Sequence, residues 1–535
     1  MPTDAATASN LADLLSRAAI ESPEQVALVE AETGRRVTWS ELEAEVSRVA
    51  SGLSEMGLVA GYRVMICLPN GVEFVTSYLA ALRARLVAVP VNPRGATGEL
   101  VRMIADCGAR TVICDRTTCT QVRAAVDGVA DALEGADDDL RARTGVPRVV
   151  VSGALPLRGE VSYGDLAGTT AGSIPTPEDA EALAVLLYTS GTSGQPRAVM
   201  LSHRALVANI EQAAMVRPPM VSGNDVVLGV LPLFHVYGLN AVLGQVIRQH
   251  ARIVLVAAFD PDGALDIIED EAVTVLPVAP PVFAHWMSAE DLGGRLSGVR
   301  LVLSGSAHLD PELLGAFTER AHVQVHQGYG LTEAAPVVTS TLCSTSPEAG
   351  SVGSALPGVS IKLVDEAGHT PEGHDSGEIH LKGANLFSGY WPAGTDGPDE
   401  EGWWPTGDVG FLDTDGDLFL VDRIKELVVV SGFNVYPSEV EDVITEVDAV
   451  AEAAVIGTED EVSGQAVVAL VKRRADLSMS DDEVIETIRE HCATRLARFK
   501  QPGVVKIVDE LPHTMTGKVA KGRLRATERS HGLLE

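Results

Sequence analysis

The segment Leu187-Tyr188-Thr189-Ser190-Gly191-Thr192-Ser193-Gly194-Gln195-Pro196-Arg197 carries the strongest signal in the chain. It follows an apolar run, residues 184–188, that predicts a short buried strand. Glycine allows backbone N–H groups to turn toward an anion, and serine and threonine hydroxyls add further donors. Arg197 closes the segment and brings a positive charge. The segment therefore predicts a phosphate-binding loop after a strand, although a surface turn would have a similar composition.

Five more motifs follow in the second half of the chain. They are, in chain order, Gln327-Gly328-Tyr329-Gly330-Leu331-Thr332-Glu333, Trp404-Pro405-Thr406-Gly407-Asp408, Asp422-Arg423-Ile424-Lys425-Glu426, Ser431-Gly432-Phe433-Asn434-Val435-Tyr436-Pro437 and Leu511-Pro512-His513-Thr514-Met515-Thr516-Gly517-Lys518. In this order they resemble the adenylate-forming superfamily, which includes acyl-CoA synthetases, firefly-type luciferases, coumarate-CoA ligases and nonribosomal adenylation domains. The resemblance extends over about residues 10–525 and is strongest to fatty-acyl-CoA synthetases.

Composition and charge exclude several classes of partner. The chain has 535 residues, 46% of them hydrophobic and 21% charged, and its formal net charge is −33. Such a negative field repels DNA, RNA and anionic lipid surfaces, so no nucleic acid partner is expected. The field also repels ATP and CoA, so basic residues must be concentrated where those molecules bind.

Cysteine usage and the N-terminus bear on the compartment. The six cysteines are scattered and form no Cys-x-x-Cys pair, which is typical of a reducing cytoplasm. The N-terminus lacks the basic and apolar regions of a signal peptide. No apolar run reaches the roughly 18 residues needed to span a bilayer. We therefore expect a cytoplasmic protein without a transmembrane segment, which leaves a peripheral membrane contact open.

Apolar runs alternate with helical patterns in two successive series. The first series predicts strands at 63–68, 86–91 and 111–114, and the second predicts strands at 226–231, 253–257, 273–278, 299–303 and 323–327. This alternation predicts parallel sheets with helices on their faces. Residues 124–181 are rich in Ala, Gly, Asp and Pro and are expected to form surface connections.

The pattern changes from about residue 353 to short strands with Gly and Asp turns, which predicts a β-barrel-like part. A helix opened by the capping box Ser480-Asp481-Asp482-Glu483 belongs to a small α+β unit, and the tail after Arg525 is expected to be mobile. The fold class is therefore α/β, with a large N-terminal domain of two doubly wound βα sheets plus the barrel-like part. The expected domains are residues 1–422, which bind ATP and the acyl group, and residues 423–535, a mobile α+β domain that carries the catalytic lysine.

The resemblance implies a first step in which a carboxylate attacks the α-phosphate of ATP, so that acyl-AMP forms and pyrophosphate leaves. Because charge builds on the phosphoryl oxygens, this step needs positioned cations and hydrogen-bond donors more than a base. Lys518 is the expected central cation between carboxylate and α-phosphate, and Gly517 permits the turn that aims it inward. A solvated loop lysine is the alternative interpretation.

The Thr332-Glu333 pair is expected to contact the phosphates. Glu333 is the expected Mg²⁺ ligand, with Thr189 beside it, since a hard cation takes carboxylate and phosphate oxygens. Thr332 is expected to offer its hydroxyl to the α-phosphate. A helix N-cap pair is the alternative, and a helix start would itself favour an anion.

The resemblance also implies the nucleotide site. Asp408 is expected to accept hydrogen bonds from the ribose, Arg423 to reach the ribose or phosphates, and the segment Ser304-Gly305-Ser306-Ala307-His308 to contact adenine. The expected ATP-binding set is Thr189, Ser190, Gly191, Thr192, Ser193, Gly194, Arg197, Ser306, Ala307, Gln327, Gly328, Tyr329, Gly330, Thr332, Asp408, Arg423 and Lys518. Arg197 stands where the family has lysine, and His308 where it has proline. Arginine keeps the charge but changes its geometry, so we expect altered nucleotide affinity.

The acid pocket is indicated by Leu231-Pro232-Leu233-Phe234-His235-Val236-Tyr237-Gly238-Leu239. Amino-acid-adenylating relatives carry an aspartate near this segment, whereas no acidic residue lies between Leu231 and Arg248 here. The acid is therefore expected to have an uncharged tail, fatty or aryl. His235 is expected to orient the carboxylate or gate the pocket, with a satisfied core histidine as the alternative. The expected pocket residues are His235, Gly238, Gly305 and Gly328, and Ala241 and Gly244 leave further room or serve close packing.

A second step is implied, in which the small domain rotates and CoA takes the acyl group from AMP. Lys425 is the expected hinge, and Gly432 and Phe433 are expected to line the CoA tunnel. An acyl carrier protein is the alternative acceptor, as in fatty-acyl-AMP ligases. That subgroup has an insertion after the Thr-Glu motif, and this chain has no obvious one, which favours CoA.

A non-catalytic nucleotide-binding regulator is a rival of another class. Loss of an essential charged residue would favour it. Lys518, Glu333 and Asp408 are all present, so an enzyme is expected, with ATP, Mg²⁺ and CoA as its cofactor and cosubstrates.

Overall fold

The structure is a computed structural model. It describes residues 9–134, 144–172, 174, 179–189, 197–307, 309–365, 367–371, 375–423, 426–430, 433–460, 464–474, 479–514 and 518–532.

The first part of the chain supplies nine strands among the described residues. They are β1 (Val26–Glu30), β2 (Arg36–Thr38), β3 (Arg63–Cys67), β4 (Val87–Pro90), β5 (Thr111–Asp115), β6 (Arg148–Ser152), β7 (Val161–Ser162), β8 (Leu183–Thr189) and β9 (Arg197–Ser202). Seven of them form one sheet in the order β7-β6-β5-β3-β4-β8-β9. Its pairs are parallel except that β9 runs antiparallel to β8. The central strands are short apolar runs because helices cover both faces of the sheet.

The second series forms another sheet. Its strands are β10 (Val226–Gly229), β11 (Arg252–Leu255), β12 (Val275–Val278), β13 (Leu301–Ser304) and β14 (Val325–Gln327). The order within the described residues is β14-β13-β12-β10-β11-β1-β2, so the N-terminal hairpin β1–β2 completes this sheet. The strand order reverses around β10, because β11 lies on one side of it and β12 on the other. Crevices at the carboxyl ends of strands beside such a reversal are where open α/β sheets bind ligands.

Helices pack on both sheets. Their bounds are Asp13–Glu21, Trp39–Glu55, Val72–Arg83, Thr97–Cys107, Cys119–Glu134, Tyr163–Ala167, His203–Ala214, Gln245–Gln249, Pro261–Asp270, Pro281–Trp286, Leu292–Arg295 and Pro311–Ala321. A π-helix, Tyr237–Gly244, and a 3₁₀ turn, Thr332–Ala334, complete this part. The helix from Trp39 begins with a capping box between Thr38 and Glu41, because each supplies its side chain to the backbone N–H of the other.

The antiparallel part is an open meander. After the short strands β15 (Thr339–Ser340) and β16 (Ser354–Ala355) come β17 (Val359–Val364), β18 (Gly377–Gly383), β19 (Trp404–Leu412) and β20 (Leu418–Arg423). The last four form a sheet in chain order. The predicted boundary between residues 422 and 423 falls at the end of β20 and stays a prediction.

A separate mixed sheet follows. Its strands are β21 (Val428–Val430), β22 (Phe433–Val435), β23 (Val450–Asp460), β24 (Gly464–Arg473) and β25 (Val504–Ile507), in the order β22-β21-β24-β23 with β25 parallel to β24. The accompanying helices are Pro437–Thr445, Asp481–Arg495, a 3₁₀ turn Arg498–Lys500, and Lys521–Gly532. The predicted Ser480 capping box is present. This unit has apolar clusters of its own, which supports the prediction of a small second domain.

One expectation is wrong. Residues 124–181 are not only surface connections, because they complete a helix that ends at Glu134 and contribute β6, whose Val150 is fully buried. Residues 526–532 continue the helix Lys521–Gly532, and the expected mobility of the tail stays a prediction. Leu524 in that helix is buried, and Lys521 forms salt bridges with Glu426 at 3.3 Å and Glu441 at 2.8 Å.

Within the described ranges, no helix combines the length and the apolar character that crossing a bilayer requires. Cys67 and Cys114 are buried in the first sheet.

Candidate active site

A cavity of about 560 Å³ opens at the carboxyl ends of β10, β12, β13 and β14 and reaches the end of β8. Its polar lining includes Thr189, Arg197, His235, Ser304, Ser306, Gln327, Tyr329, Thr332, Glu333, Tyr390, Asp408 and Lys518. Its apolar lining includes Met220, Val221, Val227, Phe234, Val236, Ala241, Val242, Val275, Pro277, Leu303 and Val337. Such a volume is within the usual range for a small-molecule site.

The glycines of the Gln327–Thr332 stretch allow a close backbone approach. A Cβ at Gly328 would lie 2.6 Å from the carbonyl oxygen of Thr339, and one at Gly330 would lie 2.5 Å from that of Pro336. Both contacts are too short for any side chain, so these positions require glycine. The tight packing fixes Tyr329 and Thr332, which line the cavity.

Asp408 is buried at 6% exposure in β19. It accepts a 2.6 Å hydrogen bond from the Tyr329 hydroxyl, and its backbone N–H donates to Thr406 Oγ1 at 3.0 Å. Gly407 before it has a φ of 76°, which favours glycine. In the β19–β20 ladder Asp408 pairs with Arg423, so the structure brings together the two residues expected at the ribose.

Glu333 lies in the 3₁₀ turn Thr332–Ala334. Leu331 precedes this turn and no side chain caps it, so Thr332 is not a helix N-cap residue. The Tyr390 hydroxyl donates to Glu333 Oε1 at 2.7 Å. Burial and the neighbouring Glu333 carboxylate raise the pKa of Tyr390, which keeps the hydroxyl protonated and able to donate.

Arg197 begins β9 and pairs with Thr189 of β8, so the two ends of the predicted phosphate loop are adjacent. Its guanidinium lies 3.6 Å from the ring centroid of Tyr390, and it donates to Asp396 Oδ2 at 2.5 Å. Arginine can stack on an aromatic face and pair with a carboxylate at once, which lysine does less well. Arg197 therefore joins the phosphate loop to the segment that orients Glu333.

Tyr390 was missed by the sequence analysis. It stands between Gly389 and Trp391, outside the six motifs, and nothing in that local pattern distinguishes it from an ordinary aromatic residue. Backbone bonds from Ser388 to Met200 and from Trp391 to Ala198 bring this segment alongside β9.

His235 is neutral in this site. Burial, and then the positive charge of Lys518, lower its pKa to about 4. The backbone N–H of Tyr237 points at Nδ1 at 3.4 Å, which favours the tautomer with a proton on Nε2. A neutral imidazole with an Nε2–H can donate to a carboxylate without adding charge.

Lys518 lines the same cavity and remains exposed to solvent. Its backbone N–H donates to Thr514 Oγ1 at 3.1 Å. Lys518 and His235 both line this cavity, and the lysine charge lowers the pKa of the imidazole. The structure therefore brings the C-terminal loop and the residues of β10, β14 and β19 to a common cavity.

Gly305, Gly328 and Ala241 line the cavity, whereas Gly238 borders a second cavity of about 20 Å³ beside His235. A Cβ at Gly238 would lie 2.5 Å from the Pro232 carbonyl oxygen, so its small size serves backbone packing. Gly244 likewise packs against Ile210, where a Cβ would lie 2.7 Å from Cδ1. Of the three small helix residues, Ala241 is the one that borders the main cavity.

Several predicted residues lie outside the described residues. They are Ser190, Gly191, Thr192, Ser193, Gly194, His308, Lys425, Gly432 and Gly517. Ser306 lines the cavity with a φ of 75°, and Ala307 follows it in the chain. Phe433 begins β22.

The chain matches two family models. Residues 15–391 match the AMP-binding enzyme family, and residues 439–518 match the AMP-binding enzyme C-terminal domain. A 4-coumarate-CoA ligase 5 from Oryza sativa subsp. japonica is 33% identical over 515 residues, which cover 94% of this chain and 92% of the relative.

Solved structures of CoA ligases and of MatB are similar to this chain over nearly its whole length. ATP-bound MatB from Rhodopseudomonas palustris superposes with a TM-score of 0.85 at 31% identity and covers 97% of this chain and 99% of its own. Apo MatB gives a TM-score of 0.74 at the same 31% identity, over 97% of this chain and 99% of its own. A benzoate CoA ligase from Burkholderia xenovorans LB400 gives 0.80 at 25% identity, over 96% of this chain and 99% of its own.

The matches cover nearly the whole chain, and the predicted resemblance is confirmed. The chain therefore belongs to the AMP-binding enzyme family and is an AMP-forming acid–CoA ligase, with ATP and CoA as cosubstrates.

Proposed function

We propose that this ligase activates an apolar aromatic acid, such as a hydroxycinnamic or benzoic acid. The observation that carries the proposal is the chemistry of the cavity wall. Its carboxylates, within the described residues, are Glu99, Glu333 and Asp408. Glu99 accepts from the Ala96 N–H, and the other two accept from tyrosines. None belongs to the segments that surround the acid pocket, so an ammonium group on the tail would find no partner.

The part of the cavity around Tyr237 is lined by apolar side chains. Tyr237 faces Gly305, where an added Cβ would lie 3.1 Å from the ring. Ala241, Val242 and Val275 complete this part of the lining. An aromatic ring matches such walls, and the 4-coumarate and benzoate ligases named above support the same substrate class.

Adenylation then uses this chain's residues in separate roles. One carboxylate oxygen attacks the α-phosphorus, and the bond from that phosphorus to pyrophosphate breaks. Lys518 offsets the charge shared by the carboxylate and the phosphate, and Thr332 donates to a phosphoryl oxygen. His235 donates its Nε2–H to the other carboxylate oxygen, and Asp408 holds the ribose.

Glu333 fits a Mg²⁺ ion. A single carboxylate that completes its shell with phosphate oxygens is the usual protein share of a magnesium site, and Thr189 lines the same cavity. When bound, the cation would offset phosphate charge. Tyr390 would keep the Glu333 carboxylate in one orientation for it.

Thioester formation needs a different position of the C-terminal residues that carry Lys518. The CoA thiolate attacks the acyl carbon, the bond from that carbon to the AMP oxygen breaks, and AMP leaves. Lys518 must first leave the cavity, which we assign to rotation of residues 423–535 about Lys425. The higher TM-score with ATP-bound than with apo MatB supports reading the present arrangement as the adenylating one.

A panel of acids tests the substrate class through CoA-dependent AMP formation. We expect 4-hydroxycinnamate or benzoate to give the highest kcat/KM, a long-chain fatty acid to give less, and free phenylalanine to give none above background. A fatty acid that exceeds every aromatic acid by tenfold would overturn the aromatic assignment.

A further inference from the structure

The four residues after Glu333 form a turn whose backbone has little regular structure. Ala335 has a φ of 63°, and Pro336 has no N–H. Buried backbone groups need hydrogen-bond partners, and this turn lies between the acid pocket and the antiparallel part. It obtains several of those partners from side-chain amides.

Three buried asparagines bind this turn. Asn385 Nδ2 donates to the Ala334 carbonyl oxygen at 2.7 Å, and Asn240 Nδ2 donates to that of Ala335 at 2.6 Å. Asn209 Nδ2 donates to the Val337 carbonyl oxygen at 2.8 Å, and its Oδ1 accepts from the Val337 N–H at 3.1 Å. Each asparagine is 1% exposed, so water does not compete for these bonds.

Two of the asparagines are linked to each other. Asn209 Nδ2 also lies 3.3 Å from Gln212 Oε1, and Gln212 Nε2 donates to Asn385 Oδ1 at 3.3 Å. The helix His203–Ala214 therefore supports both ends of the turn through one amide network.

Asn240 reaches the turn from the acid pocket. It belongs to the π-helix Tyr237–Gly244, whose Tyr237 and Ala241 line the cavity. Its Nδ2 also donates to the Leu206 carbonyl oxygen at 3.1 Å. A shift of this helix by a poorly fitting acid would pull on the Ala335 carbonyl, two residues from Glu333.

We propose that Asn209, Asn240 and Asn385 are positioning residues that hold Thr332 and Glu333 for adenylation, and that Asn240 makes this position depend on the fit of the acid tail. The inference rests on the proposed phosphate and metal roles of Thr332 and Glu333. A displacement of 1 Å at such groups can cost about 100-fold in rate.

Gln245 provides a matched control for Asn240. It lies in the next helical segment, is 1% exposed, and donates to the Ile210 carbonyl oxygen at 2.5 Å, away from the turn. Among the described residues, Asn240 Oδ1 and Gln245 Oε1 both lack a partner, so the two amides are similar in burial and in their unpaired oxygen, whereas Asn240 donates two hydrogen bonds and Gln245 one. Asn240→Leu and Gln245→Met each replace a buried amide by an apolar chain of similar length.

The test measures ATP–pyrophosphate exchange with an aromatic acid, thioester formation from synthetic acyl-AMP, and the midpoint of thermal unfolding. We expect Asn240→Leu to slow exchange about 30-fold or more and to raise the KM for the acid, while thioester formation changes less than about threefold. Gln245→Met should destabilise the protein to a similar extent and keep both rates within about threefold of wild type.

Asn385→Leu removes the amide that binds the Ala334 carbonyl oxygen, and it tests the proposal even if Asn240→Leu does not fold. It should slow exchange by a similar factor with the KM for the acid unchanged. Equal losses in both half-reactions for the variants that fold, or equal effects of Asn240→Leu and Gln245→Met, would overturn the proposal. Wild-type protein without exchange on any apolar acid would instead refute the proposed function.

Discussion

The hydroxyl of Tyr390 donates a 2.7 Å hydrogen bond to Glu333 Oε1, while the guanidinium of Arg197 lies over the ring of the same tyrosine, 3.6 Å from its centroid. One aromatic residue thus joins the start of β9 to the carboxylate that we assign to the metal. The sequence motifs include Arg197 and Glu333, but not Tyr390, which contacts both of them in the structure.

Tyr390→Phe keeps the ring under Arg197 and removes only the bond to Glu333. We expect the half-saturating Mg²⁺ concentration to rise about 10-fold or more, since a hydrogen bond to a charged group contributes about 1.5–3 kcal/mol. The KM for the acid should not change. Initial rates over a range of Mg²⁺ concentrations at saturating ATP give the half-saturating Mg²⁺ concentration.

Tyr188→Phe is the control for that measurement. Tyr188 also lines the cavity and donates to a carboxylate, Asp106 Oδ2, at 2.7 Å, but this bond lies away from Glu333. Its Mg²⁺ dependence should stay within about twofold of wild type. Identical Mg²⁺ curves for the two variants would show that Tyr390 does not orient the metal ligand.

Gly305→Ala tests the acid pocket. The new Cβ would lie 3.1 Å from Tyr237 Cε1, so the ring must move by a few tenths of an ångström. We expect a several-fold increase in the KM for the aromatic acid and a smaller change in the KM for ATP. Gly315→Ala, in open space on the helix Pro311–Ala321, should change neither. A change confined to the KM for ATP would place Gly305 with the nucleotide instead.

The pH dependence of the free energy of unfolding should reflect the lowered pKa of buried His203. It is 3% exposed, its Nδ1 accepts from the Leu11 N–H at 3.2 Å, and burial lowers its pKa to about 4, with Asp179 opposing that shift. Between about pH 6.5 and 4 the unfolded chain binds a proton that the folded chain does not, so the free energy of unfolding falls as pH falls.

His203→Gln removes that proton from the unfolded state. Denaturant unfolding from pH 7 to pH 5 should therefore show a shallower loss of stability than in wild type, by at most about 1.4 kcal/mol per pH unit for one histidine. His235, whose pKa is also lowered to about 4, contributes in the same direction and remains in the variant. Parallel curves for wild type and variant would contradict the account of His203.

The strands that sequence reasoning predicted well are short apolar runs between clear helices. The strands β3 and β5 end within one residue of their expected bounds, 63–68 and 111–114. The strand β6 was missed because the residues around Val150 favour loops, and the apolar run itself is only a few residues long. The pairing of β1 with β11 was missed, because Leu28 and Ile253 pair across more than 200 residues and such a contact leaves no local pattern.

The residues of the candidate site also fall into two groups, those that sequence motifs predict and those that only the folded structure brings to the site. The motif residues Glu333, Asp408 and Lys518 were named from the resemblance, and the structure places all three at one cavity. Tyr390 and Asn240 were not named, because each acts on a motif residue or its neighbouring turn across a long sequence separation. Such contacts follow from packing, which periodicity and spacing do not encode.

The position of Lys518 in the same cavity as His235 and Asp408 is the centre of the account, and a single-turnover experiment tests it most directly. Wild type and Lys518→Ala are mixed with radiolabelled ATP, an aromatic acid and saturating CoA, and separately with synthetic acyl-AMP and CoA. We predict that wild type yields AMP and acyl-CoA. Lys518→Ala should form acyl-AMP at least 100-fold more slowly, as about 2.7 kcal/mol of lost stabilisation requires, yet convert supplied acyl-AMP within about tenfold of the wild-type rate. Equal loss of both half-reactions in the variant, or a wild type that stalls at acyl-AMP, would contradict it.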